Sequence, residues 1–292
     1  MNDEHIALNA EADFSPGERR IISVTPSGMA LTTHLPLAQN SQKPKGDILL
    51  LPGWSGPRTG PAEILVYLAS QLAAHGWVAR RVDLPGRGDN FEKIDAELDA
   101  MIDCAARAAA LSAAPRQHVA LGICSGGNVA LGAAALKHGP KFDRVVAIST
   151  LPFQPARTKT FDQRRRSANL KRYVKKAFSP STWTRLLKGE INTGRVLKNV
   201  SAPDRTAGKN LKDSARDIER ELRDWRGRAL FVWGGGDEEA APARTHFERL
   251  HQMGLGEKGR VTFHTVAGAN HNFYGRAWRE ELLKKILAFL DE

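Results

Sequence analysis

The chain has little cysteine. Only Cys104 and Cys124 occur in 292 residues. Two are too few for a disulfide scaffold, and they offer no metal-ligand spacing, so no metal is expected. Long hydrophobic runs are also missing: no stretch approaches the roughly 18 apolar residues that a membrane span needs. The stretch from Met1 to Glu18 is polar and partly acidic, without a basic segment leading into an apolar one, so no signal peptide is expected. Together these absences point to a reducing cytoplasm, in which a thiol stays free. No internal repeat is visible.

What is present has an ordinary globular balance, 41% hydrophobic and 26% charged. The length suits one large α/β domain with an insertion, or two small domains, and is enough to build a core. The formal net charge of +11 is unevenly placed. Between Arg157 and Asp224 there are 19 Lys or Arg against 8 Asp or Glu, and the rest of the chain is neutral. Such a segment fits a nucleic-acid surface, a cap facing acidic substrates or anionic lipid, or simply a solvated helical face. Its aromatics are Phe161, Tyr173, Phe178 and Trp183, which are not interleaved as a stacking surface would need, so no nucleic-acid partner is expected.

Short apolar runs alternate with helical patterns, which predicts a mostly parallel sheet covered on both faces. A hairpin over Ile21–Thr33 turns at Pro26-Ser27-Gly28. Strands are expected at Asp47–Leu51, Val78–Leu84, His118–Ile123, Arg144–Ser149, Ala229–Trp233 and Val261–Val266. Helices are expected at Ala62–His75, Ile94–Ser112, Asn128–His138 and Trp278–Leu290. Leu151–Arg226 has no strand-like alternation and reads as short basic helices, among them Leu211–Trp225. Residues 1–150 and 227–292 are therefore expected to form the core, and 151–226 a helical cap over the carboxyl ends of the strands, where open parallel sheets bind ligands. Within that cap Trp183, Leu186 and Leu187 are spaced to give an apolar underside.

The chemistry is concentrated in Gly122-Ile123-Cys124-Ser125-Gly126-Gly127, which joins a strand to a helix. A nucleophile held on so sharp a turn needs small residues two places before and after it. With Cys124 at the tip these are Gly122 and Gly126; with Ser125 one would be Ile123, which would clash. The plain alternative is a glycine-rich turn around an inert cysteine. A thiolate nucleophile gains from a base and from a helix N-terminus. His271, in the loop Ala267–Phe273 after the last strand, is the candidate base. Asp237, after Gly234-Gly235-Gly236, is the candidate orienting acid, with Glu238 and Glu239 as rivals. An oxyanion hole needs two N–H donors: Ser125, and by spacing Trp54 in Pro52-Gly53-Trp54-Ser55-Gly56. Arg58 at the same mouth either binds an acidic group or makes a surface ion pair.

The pieces LLLPGWSG, DLPGRGDN, GICSGG, GGGDEE and GANHNF resemble the α/β-hydrolase superfamily over nearly the whole length. The cysteine elbow is similar to that of dienelactone hydrolases and polyhydroxyalkanoate synthases. The elbow and the phrase Tyr173–Asn192 (YVKKAFSPSTWTRLLKGEIN) resemble the hydrolases associated with bacterial exosortase and exopolysaccharide gene clusters. The resemblance implies an α/β-hydrolase fold with a helical cap, in a bacterial cytoplasmic enzyme. The reading that follows is an esterase or thioesterase with a Cys124–His271–Asp237 triad, acting through an acyl-cysteine on a small acyl substrate, acidic or membrane-associated. This triad chemistry implies no organic cofactor. Its rivals are an acyltransferase with the same triad and a non-catalytic ligand-binding protein on this scaffold.

Overall fold

The computed structural model describes residues 6–8, 18–36, 43–53, 56–92, 98–112, 117–153, 214–255 and 260–292. Among these, nine strands form one sheet: β1 (Ile6–Leu8), β2 (Glu18–Val24), β3 (Ala30–Pro36), β4 (Gly46–Leu51), β5 (Val78–Val82), β6 (Gln117–Ile123), β7 (Arg144–Ile148), β8 (Arg228–Gly234) and β9 (Val261–Val266). Their spatial order is β1-β2-β3-β5-β4-β6-β7-β8-β9. The strands from β1 through β3 to β5 pair antiparallel, and every pairing from β5 across to β9 is parallel. The helices are α1 (Ile64–Ala74), α2 (Leu98–Ala110), α3 (Ser125–Ala134), α4 (Ile218–Glu221), α5 (Ala240–Gln252) and α6 (Arg276–Asp291). This is the α/β-hydrolase fold.

The strand sequences explain the layering. Every residue of β4 is buried. Leu49 and Leu51 join a core with residues of α2, α3 and α5, whereas Ile48 and Leu50 join a second core with α1 and α6. A strand covered on both faces reads as a continuous apolar run, because neither side of its pleat meets water. The helix after the elbow is built of small residues for a related reason. At Gly132 even a methyl group would run into the Ile102 side chain of α2.

The antiparallel end of the sheet is tied on by a buried polar relay. His34 is fully buried; its Nδ1 hydrogen-bonds Glu18 at 2.7 Å, and its Nε2 accepts from Arg81 Nε at 2.9 Å. Burial lowers the His34 pKa to about 4, so the ring is neutral near pH 7. A neutral ring with the proton on Nδ1 satisfies both partners, donating to the carboxylate and accepting from the guanidinium.

Some elements depart from expectation. The helix expected at Asn128–His138 begins at Ser125, because the elbow passes from strand to helix through a single residue. The helix α5 and the strand β1 were not anticipated. The signal for α5 was present: its buried Ala240, Ala243, Phe247 and Leu250 recur at helical spacing. Of the helix expected at Leu211–Trp225, the described part holds only α4. Its Ile218 and Leu222, with Trp225, are buried in the core that contains α2 and α3. Residues 154–213 of the expected cap, Trp183 among them, lie outside the described residues.

Candidate active site

The site lies at the carboxyl ends of β6, β8 and β9, where successive loops leave the same edge of the parallel sheet. β6 ends at Ile123 and α3 starts at Ser125, so Cys124 alone makes the turn, at φ 56° and ψ −126°. A side chain in that region costs about 1–3 kcal/mol and persists only where neighbours impose it. Here the neighbours are backbone. A Cβ at Gly122 would strike the backbone of Gly126 and Gly127, and one at Gly126 would strike the carbonyls of Leu51 and Pro52. The Cys124 N–H donates to Ile148 O at 2.8 Å, and the Cys124 carbonyl accepts from Gly127 N at 3.0 Å. The tip is thus fixed from both sides, and the backbone puts Cys124, not Ser125, on it.

The two cysteines differ. Cys104 is fully buried, and burial pushes its thiol up to about 12, which keeps it protonated and inert. Cys124 is partly exposed and acts on the His271 side chain, whose pKa it raises. His271 Nδ1 meets Asp237 Oδ2 at 2.7 Å. With Nδ1 donating to the carboxylate, Nε2 is left for the sulfur. Asp237 reaches the ring because the glycine turn after β8 lies on the loop after β9: Gly235 N donates to Val266 O and Gly236 N to Ala269 O, both at 2.8 Å. The Asp237 side chain is 8% exposed and that of His271 26%. Of the three adjacent acids, Asp237 is the one bonded to the ring. Glu238 and Glu239 are exposed, although a Glu239 carboxylate oxygen comes within 4.8 Å of the bonding atoms of Asp237 and His271.

The His271 pKa is raised from 6.5 to about 9. Cys124 is the largest cause; burial opposes it, and the hydrogen bond to Asp237 adds to it. A proton is therefore held on the imidazole between a sulfur and a carboxylate. The arrangement can present a thiolate nucleophile, and can both take and return a proton.

With a single-residue elbow, a histidine after the last strand and an acid after the strand before it, the site can be set beside known proteins. The model of the alpha/beta hydrolase family matches residues 48–283. The chain belongs to the alpha/beta hydrolase family. Among solved structures it is similar to a dienelactone hydrolase from Anabaena variabilis, at a TM-score of 0.57 and 13% identity over 100% of this chain and 98% of that one. It is also similar to MenH from S. aureus, at 0.58 and 15% over 90% and 98%. A third similar structure is a membrane phospholipase A described as a bacterial virulence factor, at 0.58 and 17% over 94% and 86%. At these identities the likeness shows the alpha/beta hydrolase fold, on which many chemistries occur. No curated protein matches the chain. No helix among the described residues is long and apolar enough to cross a membrane.

The remaining expected site residues fall as follows. Ser125 opens α3 directly after the tip. Trp54 lies outside the described residues, but its neighbour Gly53 passes against the tip: a Cβ there would stand 3.3 Å from Cys124 Cβ. Arg58 is held in an ion cluster behind the mouth. Its backbone N donates to Asp83 Oδ1 at 2.5 Å, its Nε to Thr32 Oγ1 at 2.8 Å and its Nη1 to Asp89 Oδ2 at 2.7 Å, and it pairs with fully buried Asp83. These bonds give the guanidinium a structural task, bracing the loop that carries Gly53.

Proposed function

We propose that the chain is a thiol hydrolase of small acyl compounds, an esterase or thioesterase, of the subgroup that resembles the exosortase- and exopolysaccharide-associated hydrolases. The observation that carries this reading is the bond from His271 Nδ1 to Asp237 Oδ2 at 2.7 Å, on a ring whose pKa is raised chiefly by Cys124 at the elbow. In this reading His271 already holds the proton given up by the Cys124 thiol, so the cycle starts from the ion pair. The sulfur lone pair attacks the carbonyl carbon, and the carbonyl π pair moves to oxygen, toward the backbone N–H groups of Ser125 and Trp54. As the carbonyl re-forms, the alkoxide or thiolate leaves with the proton from His271, and an acyl-cysteine remains. Acylation removes the charged sulfur, the main support of the imidazolium, so His271 is released as a base for the second half-reaction. It takes a proton from water, the oxygen attacks the acyl carbon, and the Cys124 thiolate leaves, restoring the ion pair.

The expected cap 151–226 is shortened at its end by the core packing of Ile218, Leu222 and Trp225; the part before them would act as a basic cap that favours acidic or membrane-associated acyl groups, with Trp183 on its apolar underside. A cytoplasmic setting would keep the thiol reduced. The test is a panel of esters and thioesters of varied chain and charge, run on the wild type and Cys124→Ala, with intact mass measured during turnover. A mass gain equal to the acyl group on Cys124, and no turnover in the variant, are expected. Near-normal turnover in Cys124→Ala would remove the reading. Formation of a new ester when an alcohol is added would move it from hydrolysis to acyl transfer.

A further inference from the structure

The end of β7 touches both halves of the site. Ile148 O accepts the backbone N–H of Cys124, and the next residue, Ser149, donates its hydroxyl to the carbonyl of His271 at 2.8 Å. Ser149 is fully buried and sits at φ 46°, a backbone region that a non-glycine residue adopts only under constraint. Its backbone N–H donates to Val232 O at 2.8 Å, which continues the β7–β8 pairing one residue past the strand. The hydroxyl is thereby aimed by main chain, not by a mobile side chain.

The histidine loop is also tied on either side of His271, where Phe273 N donates to Asn270 O at 3.2 Å and Arg279 Nε to Phe273 O at 2.9 Å. Gly236 N holds Ala269 O two residues before, and Phe273 is buried two residues after. Among the described residues, Ser149 is the side chain bonded to the main chain of His271 itself. We infer that Ser149 is a positioning residue: its hydroxyl fixes His271 relative to Cys124, so that β7 sets the distance between nucleophile and base. The inference rests on the reading of His271 as the base for Cys124. Displacements of about 1 Å in such constellations can cost roughly a hundredfold in rate, and a strained residue beside the site is the expected form of such a device.

Among the described residues, the groups that face His271 are Cys124 from the elbow, and Asp237 and Glu239 from the turn after β8. The test reads their coupling directly, without a substrate. The full chain is alkylated with iodoacetamide across a pH series, and the Cys124 peptide is followed by mass spectrometry in the wild type, Ser149→Ala, Ser149→Gly and His271→Ala. Glycine accepts φ 46° without strain, so Ser149→Gly removes the hydroxyl while leaving the backbone at ease. The wild type should react at neutral pH several-fold faster than His271→Ala. Both Ser149 variants should move toward the His271→Ala profile, and the melting curve of Ser149→Gly should show it folded at the temperature of the alkylation. If both Ser149 variants follow the wild-type profile while His271→Ala does not, the positioning role is wrong and the base assignment stands. If the wild type and His271→Ala coincide, the base assignment itself fails, and the inference with it.

Discussion

Replacing Cys124 by alanine should lower the pH at which His271 gives up its proton. In the wild type the imidazolium persists to about 9, against 6.5 for the free group, and Cys124 is the largest cause. The variant retains burial, which works against the charge, and the Asp237 bond at 2.7 Å, which works for it. Removing the leading support therefore brings the midpoint down from about 9. The sign for stability follows from proton uptake. Between about 6.5 and about 9 the folded form holds a proton that the unfolded chain has released. The stabilisation from His271 is thus complete below the unfolded value and is lost as pH rises through the folded one. At about 1.4 kcal/mol per pKa unit, the ceiling on that contribution is roughly 3–4 kcal/mol. With the His271 side chain 26% exposed, solvent screening lowers it further. The assay is the imidazole Cε1–H chemical shift against pH, assigned by its loss in His271→Ala, together with thermal unfolding at each pH. Unfolding of Cys124→Ala should depend less steeply on pH in this window than that of the wild type. A wild-type midpoint near 6.5, or an unchanged midpoint in the variant, would refute the coupling of sulfur and imidazole.

Other variants probe the same frame. Asp237→Asn should cut kcat/KM through loss of the ring's partner while Glu238→Gln stays near wild type; the reverse pattern in steady-state rates would move the acid. Ser125→Ala should only reduce turnover, since its backbone donor remains. Gly126→Ala should destabilise by at least the upper part of the roughly 1–3 kcal/mol typical of overpacking, because the new methyl meets the carbonyls of Leu51 and Pro52, which cannot swing away. Chemical denaturation would read that loss, and an unaffected midpoint would contradict the elbow geometry. Asp83→Ala removes the buried partner of the 13%-exposed Arg58 guanidinium but leaves it Asp89, and should cost less than the roughly 3–5 kcal/mol of an unpaired buried charge by the same measurement.

The sequence by itself determined the fold class and where along the chain the candidate site residues fall. Runs such as Asp47–Leu51 are apolar throughout because the strand is covered on both faces, and that pattern is local. The glycines flanking Cys124 are legible for the same kind of reason: backbone passes within contact distance on both sides, so any side chain there is excluded, whatever the rest of the chain does. The order of elbow, acid and histidine is also written along the chain. Tertiary structure decided what depended on which distant segment arrives. Gly234–Gly236 permit several turns, and it is their bonds to Val266 and Ala269 that bring Asp237, and not its exposed neighbours, onto the ring. Arg58 reads as a mouth residue in sequence, but its acceptors Asp83, Thr32 and Asp89 are 25, 26 and 31 residues away, and they meet it only once the loops after β4 and β5 lie beside each other and beside β3. Ser149 gives no signal of its own. Its hydroxyl acquires a partner 122 residues later in the chain, when the sheet lays the histidine loop beside the end of β7.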